Sequence, residues 1–204
     1  MEKSKKEIIE IAHSLDGTEM IYHFLPELLA DFNELGAFTD EILEVLKTNN
    51  LNLAGAEVLD VAYGKGAVGI LLAQEFGCKV TGVDLMSSFI EDAMNTAQRR
   101  RVENLCRFVC SDVRKFDAGP FDLVIVASAG PIWGNWKKSA AALRGFVKEE
   151  GFLLIDDCVL KEDKFVYRDY PSRDRFINDI TSSGYRLLAE KFVDDQKMID
   201  LNNR

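Results

Sequence analysis

The stretch VLDVAYGKGAVG, Val58 to Gly69, decides how the rest of the chain is read. It begins as a largely apolar run of strand length and ends in a loop of small residues that opens a helix. Its second half, Gly64-Lys65-Gly66-Ala67-Val68-Gly69, matches the dinucleotide-binding pattern G-x-G-x-x-G, and Asp84 follows at about the spacing of a ribose-binding acid. Asp60 argues the other way. It places a carboxylate near the end of the strand, where a turn that cradles phosphate calls for an apolar residue.

Outward from this stretch, EVLDVA (57–62), KVTGVD (79–84), CRFVCS (106–111), FDLVIVA (121–127) and GFLLIDD (151–157) read as strands, and the segments between them as helices ending at Phe76, Arg101 and Glu149. Such alternation predicts an α/β fold, a doubly wound and mostly parallel sheet with helices on both faces. Ser88-Phe89-Ile90-Glu91 predicts a capping box, and Gly77 and Gly151 fall where helices must stop. A final helix from about Pro171 to Gly184 leads into YRLLAEKFV (185–193), a sixth strand. Before residue 55 everything reads helical. One apolar stripe runs through Ile8, Ile9, Ile11, Ala12 and Leu15, a second through Leu28, Leu29 and Phe32 behind Pro26, and a third from Thr39, a candidate N-cap, through Ile42, Leu43 and Leu46. The expected organisation is therefore an α-helical N-terminal cap over 1–54 and a core over 55–204, together one structural domain.

In a doubly wound sheet, ligands bind beyond the carboxyl ends of the strands, where the strand order reverses. Asp60, Asp84 and Asp112 stand at or just past the ends of the first three strands, a row of acceptors suited to a ligand rich in donors: an ammonium, ribose hydroxyls and an exocyclic amine. Gly64 and Gly66 would let the backbone approach that ligand, whereas Gly69 reads as a helix-packing glycine.

This arrangement resembles the class I S-adenosylmethionine-dependent methyltransferases over most of residues 20–193. The family's first motif lies over VLDVAYGKG, its second-strand acid is Asp84 in VTGVDL, its third site is Ser111-Asp112-Val113, and FDLVIV and GFLLIDD resemble its fourth and fifth strands. The resemblance implies a Rossmann-like sheet of order 3-2-1-4-5 with the sixth strand beyond. The family's seventh strand is then either missing or beyond Arg204, because KMIDL (197–201) is a poor strand. It also implies S-adenosylmethionine as cofactor, with Asp60 orienting the methionine moiety, Asp84 accepting from the ribose, Leu85 and Met86 touching the adenine and Asp112 accepting from its amine. Ala62, Tyr63, Gly64, Gly66, Val113, Ala127 and Ser128 complete the implied cofactor lining. Ala62 departs from the family pattern, which has glycine there, and Tyr63 follows it in place of a small residue. Alanine costs little at that position if its φ is negative.

Methyl transfer from a sulfonium needs positioning and desolvation more than a strong catalyst. Candidates for the reacting end are Tyr22, His23, Trp133 and Trp136, the last two in the loop SAGPIWGNW, where they would act as a lid; aromatic faces attract a sulfonium as they attract other cations. His13 and His23 also read as ordinary helix residues. Asp156 and Asp157 end the fifth strand at the expected substrate mouth, and Leu35-Gly36-Ala37-Phe38 resembles the family's stretch that closes over the cofactor. No His/Cys/Asp cluster has metal-ligand spacing.

Over 204 residues the formal net charge is −9 and the pI about 4.8, which disfavours nucleic acid and anionic membranes as partners. Arg99, Arg100 and Arg101 end a helix, where cations are favoured. No stretch suits a signal peptide or a membrane span, so a cytoplasmic location is expected. Cys78, Cys106, Cys110 and Cys158 form no C-x-x-C pair and read as reduced core thiols. The expected partner is a small-molecule substrate, with a homodimer left open. Two rivals stand: an NAD(P)-dependent oxidoreductase, on the literal glycine pattern, and a degenerate non-catalytic cofactor-binding or partner-binding protein, on Ala62 and the lack of an evident base.

Overall fold

Five strands form one parallel sheet: β1 (Glu57–Val61), β2 (Lys79–Asp84), β3 (Cys106–Cys110), β4 (Phe121–Ala127) and β5 (Val147–Asp156), in the order 3-2-1-4-5. The computed structural model describes residues 5, 8–9, 12, 18–32, 34–160, 170–193 and 196. The helices with bounds among the described residues are α1 (Leu25–Leu28), α2 (Thr39–Thr48), α3 (Ala67–Phe76), α4 (Ser87–Arg99), α5 (Trp136–Leu143) and α6 (Arg173–Thr181). A 3₁₀ segment, Glu19–Phe24, precedes α1.

The central strands carry apolar residues at successive positions because both faces of the sheet are covered. Val58, Leu123 and Ile125 point into a core shared with Ile42 and Leu46 of α2 and with Ile70 and Leu72 of α3. Leu59, Val61, Val124 and Val126 point the other way, onto Trp136 and Leu143 of α5, with Phe176 of α6 behind them. Helix α3 starts on Gly66 (φ 80°) and stops on Gly77 (φ 66°), a left-handed residue that ends a helix without a Cβ penalty. The strand order reverses beside β1, and β1, β2 and β4 end in register, which creates the crevice in which such sheets bind ligands.

Several expectations fail for identifiable reasons. Helix α5 ends at Leu143 and β5 begins at Val147, so Gly151 lies inside the strand rather than at a helix stop. A Cβ on Gly151 would meet the carbonyl oxygens of Phe121 and Asp122 at 3.0 Å, and the β4–β5 register shifts there, so this glycine serves a bulge. Residues 185–193 form no strand, and among the described residues the sheet ends at β5. That segment is instead held by side chains: Glu190 accepts from Arg173 at 2.7 Å, and Lys191 pairs with Glu44. KMIDL and His13 lie outside the described residues.

Ser88 is not a cap: Met86 holds the N-cap position of α4, and the Ser88 hydroxyl is buried without a partner. Thr39 lies inside α2 and donates to Glu34 Oε1 at 3.2 Å, with Phe38 at the N-cap. The stripe behind Pro26 breaks up because α1 is one turn long; Leu25 is buried, while Leu28 and Phe32 are exposed. Only Cys78 is a core thiol, since Cys106 is half-buried and Cys110 and Cys158 are exposed. Burial pushes the Cys78 and Cys106 thiols up to about 11.

Candidate functional site

An extensive open cavity reaches over the carboxyl ends of the strands, and the residues expected to line a cofactor border it, with Gly66 the exception. Asp84 ends β2 and organises the glycine loop. Its Oδ2 accepts the Gly64 N–H at 2.9 Å and its Oδ1 the Met86 N–H at 2.8 Å. Such charge-assisted bonds are strong and hold the loop against the end of β2.

Asp60 lies deeper and is 2% exposed. Its Oδ2 accepts the Gly69 N–H at 3.0 Å, so a carboxylate of β1 satisfies one of the orphan donors in the first turn of α3. Burial raises its pKa to about 7, the Gly69 N–H pulls it back down, and the nearby Asp84 charge adds to the rise. A Cβ on Gly69 would lie 2.8 Å from Val80 and 2.9 Å from Asp60 Oδ2, so the glycine that completes the dinucleotide pattern is a packing glycine, as its sequence context suggests. The helix terminus that would take a pyrophosphate already faces a carboxylate.

Ala62 has φ 54°, the left-handed region, so the condition under which alanine would cost little there is not met, and this residue carries strain that a glycine would avoid. Its N–H is held by the Val83 carbonyl at 2.8 Å. Gly66 faces helices rather than the cleft: a Cβ there would meet Ile70 at 2.9 Å and Ala93 at 3.2 Å. The Tyr63 ring fills the space left by Gly82 and packs, tilted, against Phe108 at 5.3 Å. Its hydroxyl is buried without a partner, and burial, with help from the Asp84, Cys110 and Asp60 charges, pushes its pKa up. Asp112 is occupied by Arg114, which donates from Nε at 2.9 and 3.0 Å, from Nη2 at 2.7 Å and from its backbone N–H at 2.9 Å. Burial alone would raise the Asp112 pKa, but those bonds and the Arg114 charge leave it lowered. An adenine amine would have to share this carboxylate with Arg114.

The reacting-end candidates separate. Trp136 is 4% exposed, begins α5 and packs edge-on against Phe176 at 5.2 Å; it is a core side chain, not part of a mobile lid. Trp133 is half-buried on the cleft wall, its N–H bonded to Ser139 Oγ at 3.1 Å. Tyr22 packs with Leu25, Met86 and Phe89, while His23 is exposed on the outside of the 3₁₀ segment, so the structure does not bring His23 to the reacting end. Asp156 lines the cleft and accepts the Phe38 N–H at 3.0 Å. Burial raises its pKa, the Phe38 bond lowers it, and the Glu41 charge raises it further.

The sequence reading missed how the segment before α2 is fastened. Leu35 (φ 47°) and Gly36 (φ 93°) cross the strand ends, the Leu35 side chain against Gly64 and Gly36 against Ser128, itself at φ 52°. Left-handed residues crowded at one site mark a place where tertiary structure overrides local preference. The Lys65 ammonium reaches the carbonyls of Leu29 at 2.6 Å and Ala30 at 2.9 Å. The only sequence signal for that contact was a lone lysine among the glycines of the loop. No group of three or more potential metal ligands occurs among the described residues.

Residues 58–151 match a family of methyltransferase domains. The 2-methyl-6-phytyl-1,4-hydroquinone methyltransferase of Synechocystis sp. is 29% identical over 114 residues, 55% of this chain and 35% of that protein; the chain thus spans about a third of that relative's length. A methyltransferase from Thiobacillus denitrificans, solved with S-adenosyl-L-homocysteine, superposes with a TM-score of 0.71 at 21% identity, covering 81% of this chain and 72% of that one. A second, from Geobacter sulfurreducens and solved with the same ligand, gives 0.66 at 19%, covering 74% and 66%. At these identities the two structures establish a likeness of fold.

Proposed function

We propose that this chain, whose residues 58–151 match a methyltransferase domain, is a class I methyltransferase that transfers a methyl group from S-adenosylmethionine to a small-molecule acceptor by in-line displacement. The observation that carries the reading is Asp84, a buried carboxylate at the end of β2 that ties the Gly64 loop to Met86 and lines the cleft. The residues present fit the cofactor: carboxylate acceptors stand at the strand ends for ribose and ammonium donors. A nicotinamide-dependent oxidoreductase is disfavoured because the Asp60 carboxylate faces the first turn of α3 and already takes its Gly69 N–H.

Bound S-adenosylmethionine supplies a methyl group on a sulfonium with a neutral thioether as leaving group. The chain's own residues bind and align. Asp84 accepts from the ribose, Leu85 and Met86 flank the adenine, and Asp60 fixes the start of α3 and so the loop that carries Gly64. Ala62, Tyr63, Val113, Ala127 and Ser128 shape the walls, and Asp112 presents its Arg114-bound carboxylate to the adenine edge. Trp133 narrows the acceptor side and excludes water. Asp156, with its raised pKa, is placed to take a proton from an acceptor that starts protonated, such as a phenol. The hydroquinone named for the Synechocystis relative makes phenols and quinols the first acceptors to try. The net charge supports a small acceptor over nucleic acid; no helix among the described residues is long and apolar enough to cross a membrane.

The experiment is a screen for S-adenosylhomocysteine release from phenols, quinols, amines, thiols and carboxylates. The reading expects release with at least one class and less release after Asp156→Asn if the acceptor must lose a proton. Tight cofactor binding with release from no acceptor would favour the non-catalytic alternative.

A further inference from the structure

Lys65 sits in the middle of the glycine loop, yet it is only 7% exposed. A buried ammonium has to be paired, and this one donates to the Leu29 carbonyl at 2.6 Å and the Ala30 carbonyl at 2.9 Å and forms an ion pair with the Asp92 carboxylate of α4 at 3.6 Å. Its backbone has little freedom to follow a moving side chain. On one side Gly64 is bonded to Asp84, and on the other Gly66 donates to the Tyr63 carbonyl at 2.8 Å and caps α3. The two carbonyls it holds belong to the segment that packs Leu25, Leu29 and Leu35 against Leu85, Met86 and Phe89.

We propose that Lys65 is a positioning residue that couples the cofactor loop to the N-terminal segment, so that cofactor release requires residues 29 and 30 to let go of the loop. The inference rests on the reading of the cleft as an S-adenosylmethionine site. One chain of contacts runs from Asp84 through the Gly64 N–H to Lys65 and on to Leu29 and Ala30. A ligand hydroxyl bonded to Asp84 stiffens the first link, and the last link then resists opening. Such coupling is reciprocal: loosening the segment weakens retention of the ligand, and the ligand protects the segment. Lys65 does this without touching the reacting atoms.

The test uses the full chain with S-adenosylhomocysteine as probe and compares the parent with Lys65→Met and Lys65→Arg. Two quantities are read: the dissociation rate by stopped-flow displacement, and amide hydrogen exchange of residues 21–30 with and without probe. Lys65→Met is expected to raise the dissociation rate about tenfold, with a much smaller change in association rate, and to abolish ligand-induced protection of 21–30. Lys65→Arg, which keeps donors for both carbonyls, is expected to stay within about threefold of the parent. A merely structural lysine would lower the melting temperature and leave ligand-induced protection intact. Parent and Lys65→Met dissociating at the same rate with equal protection would overturn the coupling and leave the cofactor assignment standing. A folded parent that does not bind the probe would overturn both. Should Lys65→Met fail to fold, Lys65→Gln, which can reach only one carbonyl, replaces it in the same comparison.

Discussion

The central sheet and the N-terminal segment are built on opposite principles. From Val58 to Val61 every side chain of β1 is buried, and β4 is nearly as enclosed. In residues 19–32, by contrast, Met20, Phe24, Leu28 and Phe32 recur every fourth position and are 79, 59, 57 and 50% exposed. The sheet is held by area, many small contacts whose loss is shared. The segment is held by points: Leu25 in its small cluster, Lys65 on two carbonyls, Asp156 on the Phe38 N–H. Damage to the sheet should therefore appear as global instability, and damage to the segment as altered ligand binding in a protein that still folds.

The largest expected effect strikes the sheet. Ile125→Ala, on β4 in the core shared with α2 and α3, should cost about 2 to 5 kcal/mol in denaturant unfolding, by lost transfer energy and an unfilled cavity. A loss under about 1 kcal/mol would mean that the core relaxes around the void and is not close-packed.

Asp60 tests the join between sheet and site. Its pKa, raised to about 7, means the folded state holds a proton that the unfolded chain gives up near pH 4, so stability falls as pH rises between about 4 and 7 and levels off above. Asp60→Asn can still accept from Gly69 and removes this titration. Unfolding free energies measured from pH 4 to 8 should decline in the parent by up to a few kcal/mol more than in the variant. Parallel curves would show that Asp60 titrates as an ordinary carboxylate.

A smaller effect is expected at Ala62, where the left-handed backbone penalises any side chain. Ala62→Gly should stabilise the protein by about 1 kcal/mol and keep or improve cofactor affinity, while Ala62→Val should destabilise it, because a β-branched residue at positive φ is a severe outlier. Thermal melts of the pair decide this, and a glycine variant less stable than the parent would contradict the strain. The smallest change is Phe24→Ser on the exposed face of the segment, expected to move stability by no more than about 0.5 kcal/mol. A shift above 1 kcal/mol in the melt would show that this face is covered in solution.

These contrasts also explain what could be read in the sequence. EVLDVA, KVTGVD and FDLVIVA declared themselves because doubly covered strands are apolar at nearly every position and are bounded by small or acidic residues. The start of β5 did not, since Lys148, Glu149 and Glu150 look like a helix end and lie where the β4–β5 register shifts. YRLLAEKFV has strand composition but no neighbouring ladder in the described structure to join. At the site, Asp60, Asp84 and the glycines were visible because backbone geometry constrains which residues can stand there. The Arg114 grip on Asp112, the sign of φ at Ala62, the burial of Trp136 and the reach of Lys65 were not. Each depends on a partner brought close only by the finished fold.

The most direct test of the central claim is calorimetric titration of the parent and of Asp84→Ala with S-adenosylmethionine, S-adenosylhomocysteine, NAD and NADP. The account predicts that the parent binds the two sulfur nucleosides and neither dinucleotide. It also predicts that Asp84→Ala, still folded by circular dichroism, loses at least about tenfold in affinity, roughly 1.5 to 3 kcal/mol, as ribose hydroxyls lose a charged acceptor and the Gly64 and Met86 N–H groups lose theirs. Dinucleotide binding by the parent, or undiminished S-adenosylhomocysteine affinity in the folded variant, would contradict it.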